Sequence, residues 1–314
     1  MNDKIQATQL KSWLLVAMIA PILSMNGNAG WVGVLGTVLI SVLITAMQQR
    51  LNALIPKWLG FIQLIWIGLY LGSVAKESIS CWEIVKDPRV LAVALLALAG
   101  FAVMKGIKGC ARSVSLLFWF VVPVTAIVLV AGSKDLNLSE IRMRATDIDW
   151  NLIPVFLLPA VGGKLSENGM KGSARCVIIA GGAALVVSAL MDAALIPQVA
   201  IERQNAFYEY AKSATLFGVA KRFEAVSACL LTVGWFAFFT LIFSVAEKHC
   251  ENIIKGSGPV SVWAVVLIAV LVMYNMHITS VVIGKIGLIF WGVLPLAAQV
   301  VERVKKTKNS TETC

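Results

Sequence analysis

The sequence predicts an all-α integral membrane protein of about ten transmembrane helices. Three observations carry that expectation. Of the 314 residues 59% are apolar and only 14% are charged, whereas soluble domains average nearer a quarter charged. The apolar residues fall in long runs separated by short charged loops, where a membrane β-barrel would show alternation over roughly ten residues. No stretch outside those runs is long enough to form a soluble domain.

The spans follow in order from hydropathy and helical period. The first is read at 12–25, behind Lys4 and Lys11, and the second at 29–47. Their closeness argues against a cleaved secretory leader, since one apolar run leads almost at once into the next. The third, fourth and fifth are read at 59–74, 89–105 and 113–132. A short sixth, 152–163, has twelve residues and would reach roughly 18 Å, against about 30 Å of hydrocarbon. The seventh to tenth are read at 176–196, 225–246, 260–276 and 281–300. The chain is thus one polytopic domain, with a first repeat at about 10–133, a second at about 151–301, and a basic tail at 302–314.

Loop charge sets the expected orientation. With the N-terminus inside, sixteen Lys and Arg lie inside and eleven outside, so both termini are expected in the cytoplasm. The net charge of +10 is spread over loop ends rather than one face, which favours membrane orientation over nucleic-acid binding. Two outer connections, 133–150 and 197–222, are long enough for structure of their own. In the second, Phe207, Tyr210, Ala214 and Phe217 keep helical spacing. That pattern fits either an interfacial helix lying on the bilayer or a loop helix packed on the bundle.

Several chemistries are excluded. Cys81, Cys110, Cys176, Cys229, Cys250 and Cys314 are scattered, with no CxxC pair, and only His249 and His277 could add imidazoles, so no metal centre is expected. The chain has no Ser/His/Asp set, HExxH, dinucleotide fingerprint or phosphate loop, so neither an enzyme nor a cofactor is expected.

The informative features are interruptions. The first span contains Pro21 and ends in "SMNGNAG"; the sixth contains Pro154 and Pro159 and ends at Gly162 and Gly163. Proline removes a backbone donor and glycine lets the chain unwind, which inside a bilayer is tolerable only within protein or beside a wet cavity. Short interrupted spans at matching positions of two halves mark the binding site of an inverted-repeat transporter. Here they open each five-helix half.

The segments "QLKSWLLVAMIAPILSM", "GNAGWVGVLGTVLISVLITA" and "MKGIKGCARSVSLLFWFVVPV" resemble the permease-like B subunits of bacterial spore germination receptors (GerAB-like), in the amino acid, polyamine and organocation superfamily. The later "DIDWNLIPV", "AKRFEAVSACLLTVGWFAFF" and "VLPLAAQVVERVKK" keep the same order, so the resemblance covers nearly the whole chain. It implies a LeuT-like five-plus-five inverted repeat with a small ligand, typically an amino acid, at the first and sixth helices. It also implies A-type and C-type partner subunits and residence in the spore inner membrane. Relative to that family both the first and the sixth helix look shortened beyond their breaks.

On this reading Pro21, Ser24, Asn26, Pro154, Phe156 and Gly162 frame the ligand site, with Gln63 and Tyr70 lining it. Gln63, Trp66 and Tyr70 share one face of the third span, as a cavity wall or as interfacial aromatics with a packing amide. Lys285 and Asp192 are candidates for ion or proton coupling, and each also has the option of snorkelling to the outer surface. Arg222 and Glu224, at the start of the eighth span, fit interfacial anchoring or a subunit contact. The expected function is germinant sensing; the alternatives are a proton-coupled amino-acid permease and a scaffold whose ligand site has decayed.

Overall fold

The first helix, α1 (Ala7–Met25), begins well before the apolar run and passes through Pro21 without interruption. At 19 residues it reaches about 28 Å, so the expectation of a short, broken first span is corrected. Residues 7–11, Ala-Thr-Gln-Leu-Lys, are polar enough to escape a hydropathy reading yet propagate a helix readily. The computed structural model describes residues 5–25, 31–51, 57–79, 87–132, 148, 150–162, 165, 172–194, 207, 210–211, 215–216, 220–221, 224–254, 256–275 and 280–311.

Next come α2 (Trp31–Leu51), α3 (Lys57–Ser78), α4 (Pro88–Lys105) and α5 (Ile107–Gly132). A single residue separates α4 from α5. Gly106 has φ +131°, a conformation open to glycine, and it turns the chain where the sequence suggests a longer connection. After α6 (Ile153–Gly162) and α7 (Ser173–Ala194), a two-residue hairpin pairs β1 (Thr215–Leu216) with β2 (Ala220–Lys221). Then follow α8 (Glu224–Ile253) and α9 (Gly258–Asn275). The last span is compound: α10 (Ser280–Gly287), a π-helical turn (Leu288–Val293) and α11 (Leu294–Thr311). The helix therefore continues into the basic segment read from sequence as a tail. Among the described residues nine helices are long and apolar enough to cross a membrane, and α6 is a shorter apolar one. The chain is an all-α, multi-pass membrane protein.

Packing places α1 against α8, α5, α7 and α6, α3 against α9 and α8, and α2 against α7 and α6. Several of the pairs interchange when every helix number shifts by five and the last span counts as the tenth, although α1–α8 has no matching α6–α3 contact of similar extent. Thus α1 meets α5 as α6 meets the last span, α2 meets α6 as α7 meets α1, and α3 meets α9 as α8 meets α4. Glycines make the crossings close: Gly72 against the Ala269 carbonyl and Val272, Gly181 against Val38, and Gly234 against Ala20. Without a hydrophobic drive between helices in lipid, such close backbone approach supplies much of the association energy. The outer faces present Leu39, Phe61, Leu98, Leu116, Trp119 and Leu267. Among the described residues the fully buried interior holds Ser, Thr, Gln and one imidazole, His249, but no Asp, Glu, Lys or Arg.

The connection after α7 is described at few positions. Phe207 and Tyr210 are fully buried in protein, and the Tyr210 hydroxyl donates to the Leu129 carbonyl at 2.5 Å. Both residues therefore pack on the bundle rather than on lipid, Tyr210 at the end of α5. Ala214, Phe217 and Arg222 lie outside the described residues, as does the side chain of Glu224.

Candidate functional site

Helix α6 is a half-length helix of ten residues, about 15 Å, with every residue buried. Pro154 sits in its first turn, where no donor is lost. Gly162, at its other end, faces Leu14 of α1 and Leu241 of α8. Both lie within about three residues of the middle of their own spans, so α6 ends near mid-depth. Beyond it the Leu165 carbonyl accepts from the Ile5 backbone N–H at 3.0 Å, just before α1.

The first turn of α6 is held by α10. A Cβ at Gly287 would meet the Pro154 ring and the Trp66 indole, and one at Gly284 would fall on the Trp150 carbonyl. Only glycine at these two positions lets the strand of chain entering α6 lie against the last span.

Immediately after that notch the last span loosens into the π-turn. Its cause is legible locally: Pro295 has no N–H to offer the Trp291 carbonyl four residues earlier. The Leu294 N–H bonds instead to the Ile289 carbonyl, the longer spacing of a π-turn. Two glutamines from other helices take up the slack. Gln48 of α2 donates its amide to the carbonyls of Trp291 at 2.8 Å and Gly292 at 3.2 Å. Gln63 of α3 donates to the Phe290 carbonyl at 2.9 Å. Three successive carbonyls are thus clamped at membrane depth, where water cannot serve them.

Against this turn stands a cluster of rings. Trp66 and Tyr70, one turn apart on α3, stack with centroids 4.8 Å apart. Trp291 meets both edge-on, at 4.4 and 5.5 Å. Phe238 of α8 closes on Tyr70 at 6.2 Å, and Trp235 and Phe239 pack behind it. Trp66, Phe238 and Trp291 each fall within about two residues of the middle of their spans, so the cluster lies at the bilayer midplane. Three buried polar atoms in it have no hydrogen-bond partner: Gln63 Oε1 and the indole nitrogens of Trp291 and Trp235. A buried donor or acceptor left unpaired costs about 1–3 kcal/mol.

Of the residues expected at the site, Gln63 and Tyr70 lie in this cluster, and Pro154 joins it through Trp66 and Gly287. Phe156 is fully buried within α6. Gly162 belongs to the opposite end of α6, beside Leu14. Pro21 is buried in α1, and Ser24 spends its hydroxyl on the Ala20 carbonyl at 2.6 Å. Asn26 and the side chain of Asp192 lie outside the described residues. Lys285 is exposed, with Nζ 5.3 Å above the Trp150 ring, a cation–π contact at the protein surface. Sequence reasoning missed Gln48, Phe238, Trp235 and Trp291. The signal available for Trp291 and Gln48 was Pro295, whose missing donor requires an amide from elsewhere. The chain matches no known family model and no curated protein.

Proposed function

We propose that this chain is the permease-like membrane subunit of a spore germination receptor. It binds a small germinant at the bilayer midplane, an amino acid being the kind that the sequence resemblance implies. The observation that carries the reading is the ring cluster at mid-depth with three unpaired polar atoms, walled by a half-helix that stops halfway through the membrane. Inverted-repeat transporters bind substrate at that depth, where the two repeats meet. The five-by-five interchange of helix contacts supports assigning α1–α5 and α6–α11 as the two repeats. Ligand would act by preferring one of two arrangements of the last span around its π-turn, and the change would pass to A-type and C-type partner subunits.

The same architecture serves a permease, because a half-helix at the midplane is as useful for moving a solute as for sensing one. Uptake of labelled solute into vesicles separates the two. The test of binding is thermal stability of the chain in lipid nanodiscs against amino acids, sugars and nucleosides. A saturable shift lost on Tyr70→Ala is expected. No shift with any of these solutes would leave the scaffold reading in its place.

A further inference from the structure

Helix α5 is the least buried of the nine spans. Its outward stripe runs Leu116, Trp119, Pro123, Ile127 and Val130, three or four residues apart and all exposed. Lipid covers an apolar stripe as well as protein does, so exposure alone does not call for a partner. In the middle of this stripe stand two polar groups that lipid cannot serve.

The first is an indole N–H. Trp119, at 77%, is the most exposed large apolar side chain among the described residues. It stands at the centre of the 25-residue window Ile107–Ala131, with about 18 Å of helix on either side. Tryptophan ordinarily sits at the membrane surface, where its N–H meets headgroups and water. Trp31 and Trp263 keep that habit, each within two turns of a span end. The Trp119 ring touches only its neighbour Phe118, edge-on at 5.7 Å, and its N–H makes no hydrogen bond among the described residues. The second group is the carbonyl of the same residue. Pro123 lies four residues on, inside the helix, and has no N–H to give it. Donor and acceptor thus share one residue, one face and one depth in hydrocarbon.

We propose that α5 pairs with α5 of a second copy of this chain, about a two-fold axis along the membrane normal that passes beside Trp119. Two copies inserted the same way bring residue 119 to residue 119. Each indole N–H, partially positive, then donates to the partially negative Trp119 carbonyl of the other copy. The face is complementary to itself, which any other partner helix would have to match with its own donor and acceptor at that depth. Arg112 continues the stripe at the start of α5, where its charge reaches the headgroups and stays hydrated.

Energy transfer between dye-labelled full-length chains in phosphatidylcholine vesicles measures the pairing as the chain is diluted in lipid, and a dimer that dissociates on dilution is expected. Trp119→Phe keeps the ring and removes the donor, so symmetry deletes two bonds and association should weaken about sevenfold. Pro123→Ala gives the carbonyl a donor of its own and should weaken it by a similar factor. Because the two groups bond each other, the double variant should lose no more than either single one. With the native cysteines replaced, Leu116→Cys should cross-link to itself, and Leu267→Cys, on the outer face of α9, should not. Monomers at every dilution, additive losses in the double variant, or cross-linking through Leu267→Cys in place of Leu116→Cys each overturn the pairing.

Discussion

Replacing Gln48 by methionine isolates the clamp on the last span. The side chain keeps its length and loses its donors, so the Trp291 carbonyl loses a 2.8 Å bond and the Gly292 carbonyl a 3.2 Å one. Hydrogen bonds between membrane helices average about 0.6 kcal/mol, because a released group commonly finds another partner. For the Trp291 carbonyl the usual helical partner is missing, since Pro295 occupies the position of its donor. The cost should therefore reach the unpaired-group range, about 2–3 kcal/mol for the two bonds together. Reversible unfolding in mixed micelles measures it. The decisive arm is a double-mutant cycle with Pro295→Ala, which restores an N–H for that carbonyl. Gln48→Met should cost less in the Pro295→Ala background, by about 1 kcal/mol, roughly the value of the restored bond. Equal costs in the two backgrounds would refute Pro295 as the cause of the π-turn.

Other outcomes follow from the packing. Gly284→Ala should destabilise by about 2 kcal/mol or more, since its methyl falls on the Trp150 carbonyl. Gly109→Ala, with nothing within 4 Å of the new methyl, should instead stabilise by about 0.5–1 kcal/mol; measuring the two together checks the helix notch against helix propensity. Tyr210, outside the membrane spans, has its phenol pushed up to about 12 by burial. A raised folded-state value means that its stabilising contribution is complete below pH 10 and is lost as pH rises from 10 towards 12. Absorbance near 295 nm should show a late-ionising tyrosine that Tyr210→Phe removes; ionisation together with the exposed Tyr274 would count against the buried hydroxyl.

How much of this was legible beforehand differs element by element. Helices α2, α4, α7 and α9 were readable to within a few residues, because apolar length in a bilayer is a one-dimensional property. The half-length of α6 was readable for the same reason. The full length of α1 was not, since its first turn is polar and held by helix propensity and packing. Gln63, Trp66 and Tyr70 declared their shared face through helical spacing, but spacing left open whether the face met lipid, protein or a cavity. The structure answers with Trp291 and Phe238, which come from spans far along the chain and meet that face only in the folded bundle.

By itself the sequence determined the membrane class and the number and order of spans, because hydropathy acts locally. It also carries the backbone stress at Pro295, which was not recognised there, the breaks being expected at Pro21 and in the sixth span. Only the tertiary structure decided where that stress is relieved. A carbonyl stripped of its helical donor will accept from whichever amide packing brings within reach, and here packing brings Gln48 and Gln63. The same arrangement leaves Gln63 Oε1 and the Trp291 N–H buried and unpaired at the midplane. Hydrogen-bond satisfaction is a property of neighbours in space, and no run of residues records it.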